Sequence, residues 1–337
     1  MSPQPTAVSK RPPLWKVWLV ASRPHTLTAS LSPVLVGYSV GLATIKNVER
    51  ASYLWLNCKW ALFCMLIQLG TNLHNDYADF VKGADTDKRV GQARATQKGW
   101  LTPFQTAAAA SGVLGLALLL GLGFISSVSG DPNHHVIMIG IVATSIFNAF
   151  AYTGGPWPLG YIGLSDLSIA YLGLGDIFVF LYFGLVATIT PVFLYTANHD
   201  VDQLSTVMFR LLPYAIQVAS LATNIIVVNN LRDRHTDISA NKNTVAVRFG
   251  ASFCRTEYSI MVAIAYLLVI YDWGIHSYSA ARLFPLLSFR VARKELVAIY
   301  NKDGAALNPH VGGTAKVQFL FSVMLSLAMR IAMKLGK

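Results

Sequence analysis

Two short segments of the sequence place aspartates and asparagines at helical spacing. They read NDYADFVKGADTD (residues 75–87) and NNLRDRHTD (residues 229–237). Side chains three or four positions apart share one face of a helix, so each segment predicts a polar face that carries two carboxylates. The residues on these faces are Asn72, Asn75, Asp76 and Asp79 near the first segment, and Asn230, Asp233 and Asp237 in the second.

Carboxylates on one helix face repel each other, and a divalent cation relieves that repulsion. Oxygen ligands from Asp and Asn suit Mg²⁺, which usually shares its coordination shell with water and phosphates. The neighbouring basic side chains can hold phosphate oxygens directly. They are Arg89, Arg94, Lys98, Arg232, Lys242 and Arg248. A solvated loop face is the ordinary interpretation of one such cluster, but two of the same design favour a shared site for Mg²⁺ and a diphosphate.

The composition places these clusters in a membrane protein. Of the 337 residues, 54% are hydrophobic and only 13% are charged, whereas a soluble domain carries about 25% charged residues. Several uncharged runs reach the ~20 residues that cross a bilayer as a helix. The net charge of +11 does not indicate nucleic-acid binding, because the basic residues lie between the apolar runs, where membrane topology accounts for them.

The apolar runs predict an all-α, polytopic bundle of about nine transmembrane helices around a central cavity. Residues 1–13 are predicted to be an N-terminal tail, and residues 14–337 a single transmembrane domain. The predicted spans are 14–44, 54–77, 106–125, 136–152, 168–194, 208–231, 253–271, 279–291 and 315–333. The eighth is short and interrupted by Arg282 and Pro285.

The loops differ in charge between the two membrane faces. With nine spans, both aspartate segments emerge on the face that receives most of the Lys and Arg residues, and the opposite face receives few, chiefly Lys46, Arg50 and Arg282. Because Lys and Arg in loops set orientation, the basic face is predicted to be cytoplasmic, or stromal in a plastid. Both a bacterial inner membrane and a plastid membrane fit this pattern.

The two motifs resemble those of the UbiA superfamily of intramembrane prenyltransferases, which carry an NDxxDxxxD-type motif and a DxxxD motif. Here they read NDYAD (75–79) and DRHTD (233–237). Gly83 stands at the last acidic position of the first motif, and the next aspartate is Asp85. Longer stretches resemble the MenA branch, the 1,4-dihydroxy-2-naphthoate prenyltransferases: SRPHTLTASLSPVLVG (22–37), YTGGPWPLGY (152–161) and ALNPHVGGTAKVQFLF (306–321).

One segment departs from that branch. Its members have a single YxGLG[DE] sequence before the fifth span, whereas this chain has GYIGLSDL (160–167) followed by AYLGLGDI (170–177). The chain therefore has about one additional copy beside the expected active face.

The resemblance implies transfer of a polyprenyl or phytyl group from its diphosphate to 1,4-dihydroxy-2-naphthoate, with loss of CO₂, at a site in contact with membrane lipid. Mg²⁺ on Asp76, Asp79, Asp233 and Asp237 would neutralise the departing diphosphate. Substrate binding is expected from Asn72, Asn75, Arg23, Arg94, Lys98, Asn230, Arg232, Lys242 and Tyr152. Tyr77 and Tyr161 are further candidates for stabilising an allylic cation.

Two other interpretations remain open from the sequence alone. A cation-coupled secondary transporter would also carry intramembrane acidic residues, although it would place them near the bilayer midplane. A UbiA-type enzyme with another acceptor, such as homogentisate or 4-hydroxybenzoate, would share both motifs.

Overall fold

A computed structural model describes residues 11–85, 90–154, 168–276 and 279–335. Within these ranges the regular secondary structure is entirely helical, which confirms the predicted all-α class. The main helices are α1 (Leu14–Ser22), α2 (Pro24–Thr44), α3 (Arg50–Val81), α4 (Pro103–Ser126), α5 (Pro132–Gly154), α6 (Gly175–His199), α7 (Leu204–Ser239), α8 (Val245–Ile275), α9 (Phe289–Asn301) and α10 (Asn308–Lys334).

Seven helices in the described ranges are long and apolar enough to cross a membrane, namely α2, α4 to α8 and α10. The chain is therefore an integral, multi-pass membrane protein, but the predicted count of nine is not confirmed. Helix α3 has 32 residues, and its C-terminal half carries the polar face of the first motif. The predicted eighth span is wrong as an α-helix, because residues Ala280–Ser288 form a 3₁₀-helix. Pro285 lacks the N–H that an α-helix needs there.

The predicted first span is broken rather than kinked. Arg23 separates α1 from α2 with φ +49° and ψ +63°, and Pro24 is the first residue of α2. A residue before proline is disfavoured in the right-handed helical region, and proline is well suited to a first helical position. The left-handed backbone costs a non-glycine residue about 1–2 kcal/mol, so the surrounding contacts must stabilise this break.

Helices α2 and α7 lie in the middle of the bundle, and each packs against α6 and α10. Glycines allow two of these close approaches. A Cβ on Gly37 would lie 2.3 Å from the carbonyl oxygen of Thr188, and one on Gly184 would lie 2.1 Å from the Cβ of Ala219. Small residues at helix crossings let backbones pack closely in membranes.

Helix α6 is irregular in a way that ties it to α3. It contains a π-helical segment, Phe180–Val186, followed by Pro191 one turn later. Pro191 has no N–H for the carbonyl of Ala187 four residues earlier, and that carbonyl instead accepts a 3.0 Å hydrogen bond from Trp60 Nε1. This bond links α6 to α3, the helix that carries the first aspartate motif.

Candidate active site

A cavity of about 120 Å³ lies between the C-terminal ends of α3 and α7. A second cavity of about 90 Å³ adjoins it. Both are lined by Asp79, Arg94, Asp233, Asp237 and Lys242. The structure therefore brings residues of the two motifs, which are about 150 positions apart in the chain, to one shared space.

Arg94 holds the first cluster together. It lies in the loop 90–102 and is only 7% exposed. Its Nη1 is 2.7 Å from Asp76 Oδ1, its Nη2 is 3.1 Å from Asp79 Oδ2, and its Nε is 3.1 Å from Asp85 Oδ2. Burial lowers the pKa of the guanidinium, but the three carboxylates outweigh burial and raise that pKa above its usual value. Arg94 is therefore a fixed cation within an acidic cluster.

Arg23 adds a second cation to this cluster, since its guanidinium also pairs with Asp76. The break between α1 and α2 thus has a structural consequence, because it directs an arginine toward the first motif. Two hydrogen bonds from Asn72 Nδ2 brace the break, one to the carbonyl of Ser22 at 3.2 Å and one to Thr26 Oγ1 at 2.9 Å. Asn72 was predicted to bind substrate; in the structure its amide contacts Ser22 and Thr26 at the break, and its Oδ1 accepts a 3.0 Å hydrogen bond from Gln68 Nε2.

We expect Asn72→Ala to lower the free energy of unfolding by about 1–3 kcal/mol, because the part-buried carbonyl of Ser22 loses its donor and the buried Gln68 Nε2 loses an acceptor beside a strained residue. Thermal unfolding in detergent micelles measures this effect. Asn301→Ala is the matched control, since Asn301 Nδ2 also donates to a carbonyl, that of Val297, but on the exposed surface. Equal unfolding temperatures for the two variants would contradict a bracing role for Asn72.

The second aspartate cluster, Asp233 and Asp237, is stabilised by contacts within and directly after its own helix, α7. Arg232 makes a two-pronged ion pair with Asp233, with Nε–Oδ1 at 2.8 Å and Nη2–Oδ2 at 2.6 Å. Beyond Asp237 the chain reverses, and the amide of Lys242 donates to the carbonyl of Asp237 at 2.9 Å. Asn241 takes the left-handed conformation that this reversal needs, with φ +53°, and asparagine tolerates it better than most residues. The reversal returns Lys242 to the cavity wall.

Tyr171 links the two clusters and was not identified from the sequence. Its ring lies 4.3 Å from Lys82 Nζ and 5.5 Å from Lys242 Nζ, and its hydroxyl is 3.5 Å from Asp79 Oδ1. Burial, followed by the charges of Asp79 and Asp237, raises the pKa of this phenol, so it stays neutral at physiological pH. Tyr171 belongs to AYLGLGDI, so the near repeat was the available signal.

Most of the predicted site residues line the first cavity. These are Arg23, Asn75, Asp79, Arg94, Tyr152, Asn230, Arg232, Asp233, Asp237 and Lys242. Asp76 lies just behind the wall, 1% exposed, against Arg23 and Arg94. Lys98 is exposed on the loop and is not among the lining residues. Arg89, Tyr161 and the first copy of the near repeat lie outside the described residues.

Comparison with known proteins identifies the group to which this arrangement belongs. Residues 30–320 match the model of the UbiA prenyltransferase family. The chain belongs to the UbiA prenyltransferase family. Its membership was predicted from the motifs and is confirmed.

Several curated relatives belong to the branch that the longer motifs indicated. A 1,4-dihydroxy-2-naphthoate octaprenyltransferase of Haemophilus influenzae is 28% identical, over 94% of this chain and 96% of that protein. One from Mycobacterium tuberculosis is 31% identical, over 86% and 92%. A UbiA homologue from Archaeoglobus fulgidus bound to GPP and Mg²⁺ matches with a TM-score of 0.55 at 14% identity, over 92% of this chain and 99% of that one. At this identity the structural match establishes the UbiA-type fold.

The oxygen donors of this UbiA-type cavity suit Mg²⁺. Across the described parts of the chain, no three His, Cys, Asp or Glu side chains are close enough to hold one ion among themselves. Mg²⁺ needs only one or two carboxylates when waters and substrate phosphates complete its shell. One oxygen of the first cluster is available, because the buried Asp76 Oδ2 has no hydrogen-bond partner among the described residues. The two paired clusters therefore fit metal binding that is completed by a diphosphate.

Proposed function

We propose that this protein transfers a polyprenyl or phytyl group from its diphosphate to 1,4-dihydroxy-2-naphthoate, with decarboxylation, in menaquinone or phylloquinone biosynthesis. The observation that carries the proposal is the shared cavity, where both aspartate motifs meet beside Arg94 and Lys242. The acceptor is proposed from two relatives that match most of the chain and are named 1,4-dihydroxy-2-naphthoate octaprenyltransferases.

The proposed chemistry begins with the diphosphate. Mg²⁺ bound by Asp76 and Asp79 on one side and by Asp233 and Asp237 on the other would act as a Lewis acid that neutralises the departing charge. Lys242 and Arg232 line the same cavity, and their N–H groups would donate to the diphosphate oxygens. Together these groups would favour cleavage of the allylic C–O bond.

The isoprenoid tail must extend from the diphosphate toward lipid. Ile226 and Tyr152 line the cavity, and Ile226 lies seven residues before Asp233 on α7, roughly 10 Å deeper along the helix. These side chains would form the apolar wall that shields the allylic cation from water. The aromatic face of Tyr152 would stabilise the cation in the same place.

Tyr171 is proposed to position Lys242, which contacts its ring and lines the cavity. We expect Tyr171→Ala to raise KM for the prenyl diphosphate by about fivefold, because the cation–π contact with Lys242, worth up to about 1 kcal/mol, is lost. Tyr171→Phe keeps the ring, so KM should change by less than about twofold. Steady-state kinetics at saturating acceptor measures both. An equal rise in KM for the two variants would show that the hydroxyl, rather than the ring, matters.

The function is tested with purified protein, 1,4-dihydroxy-2-naphthoate and prenyl diphosphates of several lengths, with product identified by mass spectrometry. We expect a decarboxylated, prenylated naphthoquinol whose formation stops with EDTA and returns with Mg²⁺. Homogentisate and 4-hydroxybenzoate in parallel reactions test the alternative acceptors. Solute uptake into proteoliposomes driven by an ion gradient, without any prenylated product, would favour the transporter instead.

We also propose that the cavity opens on the cytoplasmic face of a bacterial inner membrane, or on the stromal face of a plastid membrane. The basis is the concentration of Lys and Arg residues in the loops at that end. The donor that supports the fastest turnover separates the two settings, because a phytyl group indicates phylloquinone and a longer polyprenyl group indicates menaquinone.

A further inference from the structure

A larger cavity lies at the other end of the bundle. Its volume is about 560 Å³, within the range of small-molecule ligand sites. Helices α7, α8 and α10 form its walls together with the 3₁₀-helix Ala280–Ser288. Its apolar lining includes Phe209, Leu212, Ile216, Leu268, Ile275 and Met333. This cavity has no role in the proposed catalysis.

Its depth in the membrane follows from helix geometry. Tyr214 lines this cavity, whereas Asp233 lines the active-site cavity, and both lie on α7. Nineteen residues of α-helix span roughly 28 Å, which is close to the thickness of the hydrocarbon core. The larger cavity therefore lies at the opposite membrane interface, at the level of lipid head groups.

A buried polar network forms its inner end. Arg282 Nη1 lies 3.0 Å and 2.9 Å from the two carboxylate oxygens of Asp272, and 3.1 Å from the hydroxyl of Tyr214. His276 Nδ1 is 3.1 Å from the same carboxylate. Arg282 is only 6% exposed, yet its Nε has no hydrogen-bond partner among the described residues. This unpaired donor therefore lies at the inner end of the cavity, which Arg282 lines.

The charges that line the cavity are unequal. Arg210, at its exposed edge, and Arg282, at its inner end, are both basic, whereas Asp272 is the one acidic residue among the described residues that line it. Asp272 is already engaged by Arg282, Tyr214 and His276. The basic side chains that line the cavity therefore outnumber the acidic ones, beside an apolar groove.

We propose that this cavity binds an anionic phospholipid. Arg210 and the Nε of Arg282 contact its phosphate, and an acyl chain lies along the apolar wall formed by α7 and α8. The chemistry that selects this ligand is the combination of an anionic head group with a hydrocarbon chain. A zwitterionic lipid carries its own cation beside the phosphate, so it matches the surplus positive charge less well. This proposal does not depend on the proposed catalytic function.

The test uses the full-length protein in a neutral detergent, with dioleoyl phosphatidylglycerol as the probe. Native mass spectrometry counts bound lipid, and thermal unfolding reports stabilisation. We expect phosphatidylglycerol to bind and to raise the unfolding temperature, whereas phosphatidylcholine and inorganic phosphate do so weakly. Arg210→Gln should weaken phosphatidylglycerol binding by about tenfold, the loss expected for one charge-assisted contact.

Arg50→Gln is the matched control, because Arg50 is exposed at the N-terminal end of α3, on the same membrane face, and outside the cavity. It should bind phosphatidylglycerol as the parent protein does. Arg282→Gln is a second test, but its buried ion pair affects folding, so the exposed Arg210 decides the result. Equal binding of phosphatidylcholine, equal stabilisation by inorganic phosphate, or unchanged lipid binding by Arg210→Gln would each overturn the proposal.

Discussion

Asp79→Asn is expected to lower kcat for prenyl transfer by at least about 100-fold, the usual loss when one electrostatic stabiliser of a transition state is removed. Asparagine has nearly the shape of aspartate but no charge. It therefore binds Mg²⁺ far more weakly and cannot form an ion pair with Arg94. Arg94 would keep its pairs with Asp76 and Asp85. The fold is therefore expected to persist, so a loss of turnover would report on the chemistry.

The measurement is single-turnover product formation by the purified variant, accompanied by its yield and unfolding temperature. Asp303→Asn is the matched control, because Asp303 is an exposed aspartate that pairs with Arg234 near the C-terminal end of α7 and does not line the cavity. It should retain more than about half of the parent activity. If Asp79→Asn and Asp303→Asn turned over equally fast, Asp79 would have no catalytic role.

Arg94→Gln is expected to lower the free energy of unfolding by about 3–5 kcal/mol, since removing one partner of a buried ion pair leaves uncompensated charge. The loss of stability is expected at the upper end of this range because Arg94 pairs with three carboxylates. Added Mg²⁺ should recover part of this loss, because a cation that binds only the folded state raises its stability. Prenyl transfer should fall together with stability.

Thermal unfolding with and without Mg²⁺ measures both effects. Lys98→Gln is the control, since Lys98 lies in the same loop but is exposed, and its unfolding temperature should match that of the parent protein. Arg94→Lys separates charge from shape, because lysine keeps the charge but cannot offer three N–H groups in a fixed fork. Equal stability of Arg94→Gln and Lys98→Gln would refute the central role of Arg94 in this cluster.

The sequence predicted the parts of the site that follow from local periodicity. The four aspartates appear as pairs on helix faces because spacing of three or four residues fixes their direction. Counting the spans between the two motifs placed both motifs on one membrane face, where they could line one cavity. The structure places Asp79 and Asp237 on the wall of that cavity. The basic partners Arg94 and Lys242 were within reach of sequence reasoning, because they follow the motifs directly.

Other parts depend on tertiary contacts that no local pattern encodes. The helix break at Arg23 depends on Pro24, which the sequence shows. It also depends on the hydrogen bonds of Asn72, which the sequence does not show. Tyr171 contacts Lys82 and Lys242 because the residues before it bond back to the end of α5, where the amides of Ile169 and Ala170 donate to the carbonyls of Ala151 and Tyr152. Lys98 has the same charge as Lys242, yet it is exposed on its loop and does not line the cavity.

The most direct test of the central claim is Mg²⁺-dependent binding of a prenyl thiolodiphosphate, a donor analogue that resists cleavage. Calorimetric titration would compare the parent protein with Asp79→Asn and Asp237→Asn. If the two motifs grip one metal-bound diphosphate together, each single variant should lose at least about tenfold in affinity with Mg²⁺ present, and little when EDTA is present. Unchanged Mg²⁺-dependent affinity in either variant would contradict a site shared by both motifs.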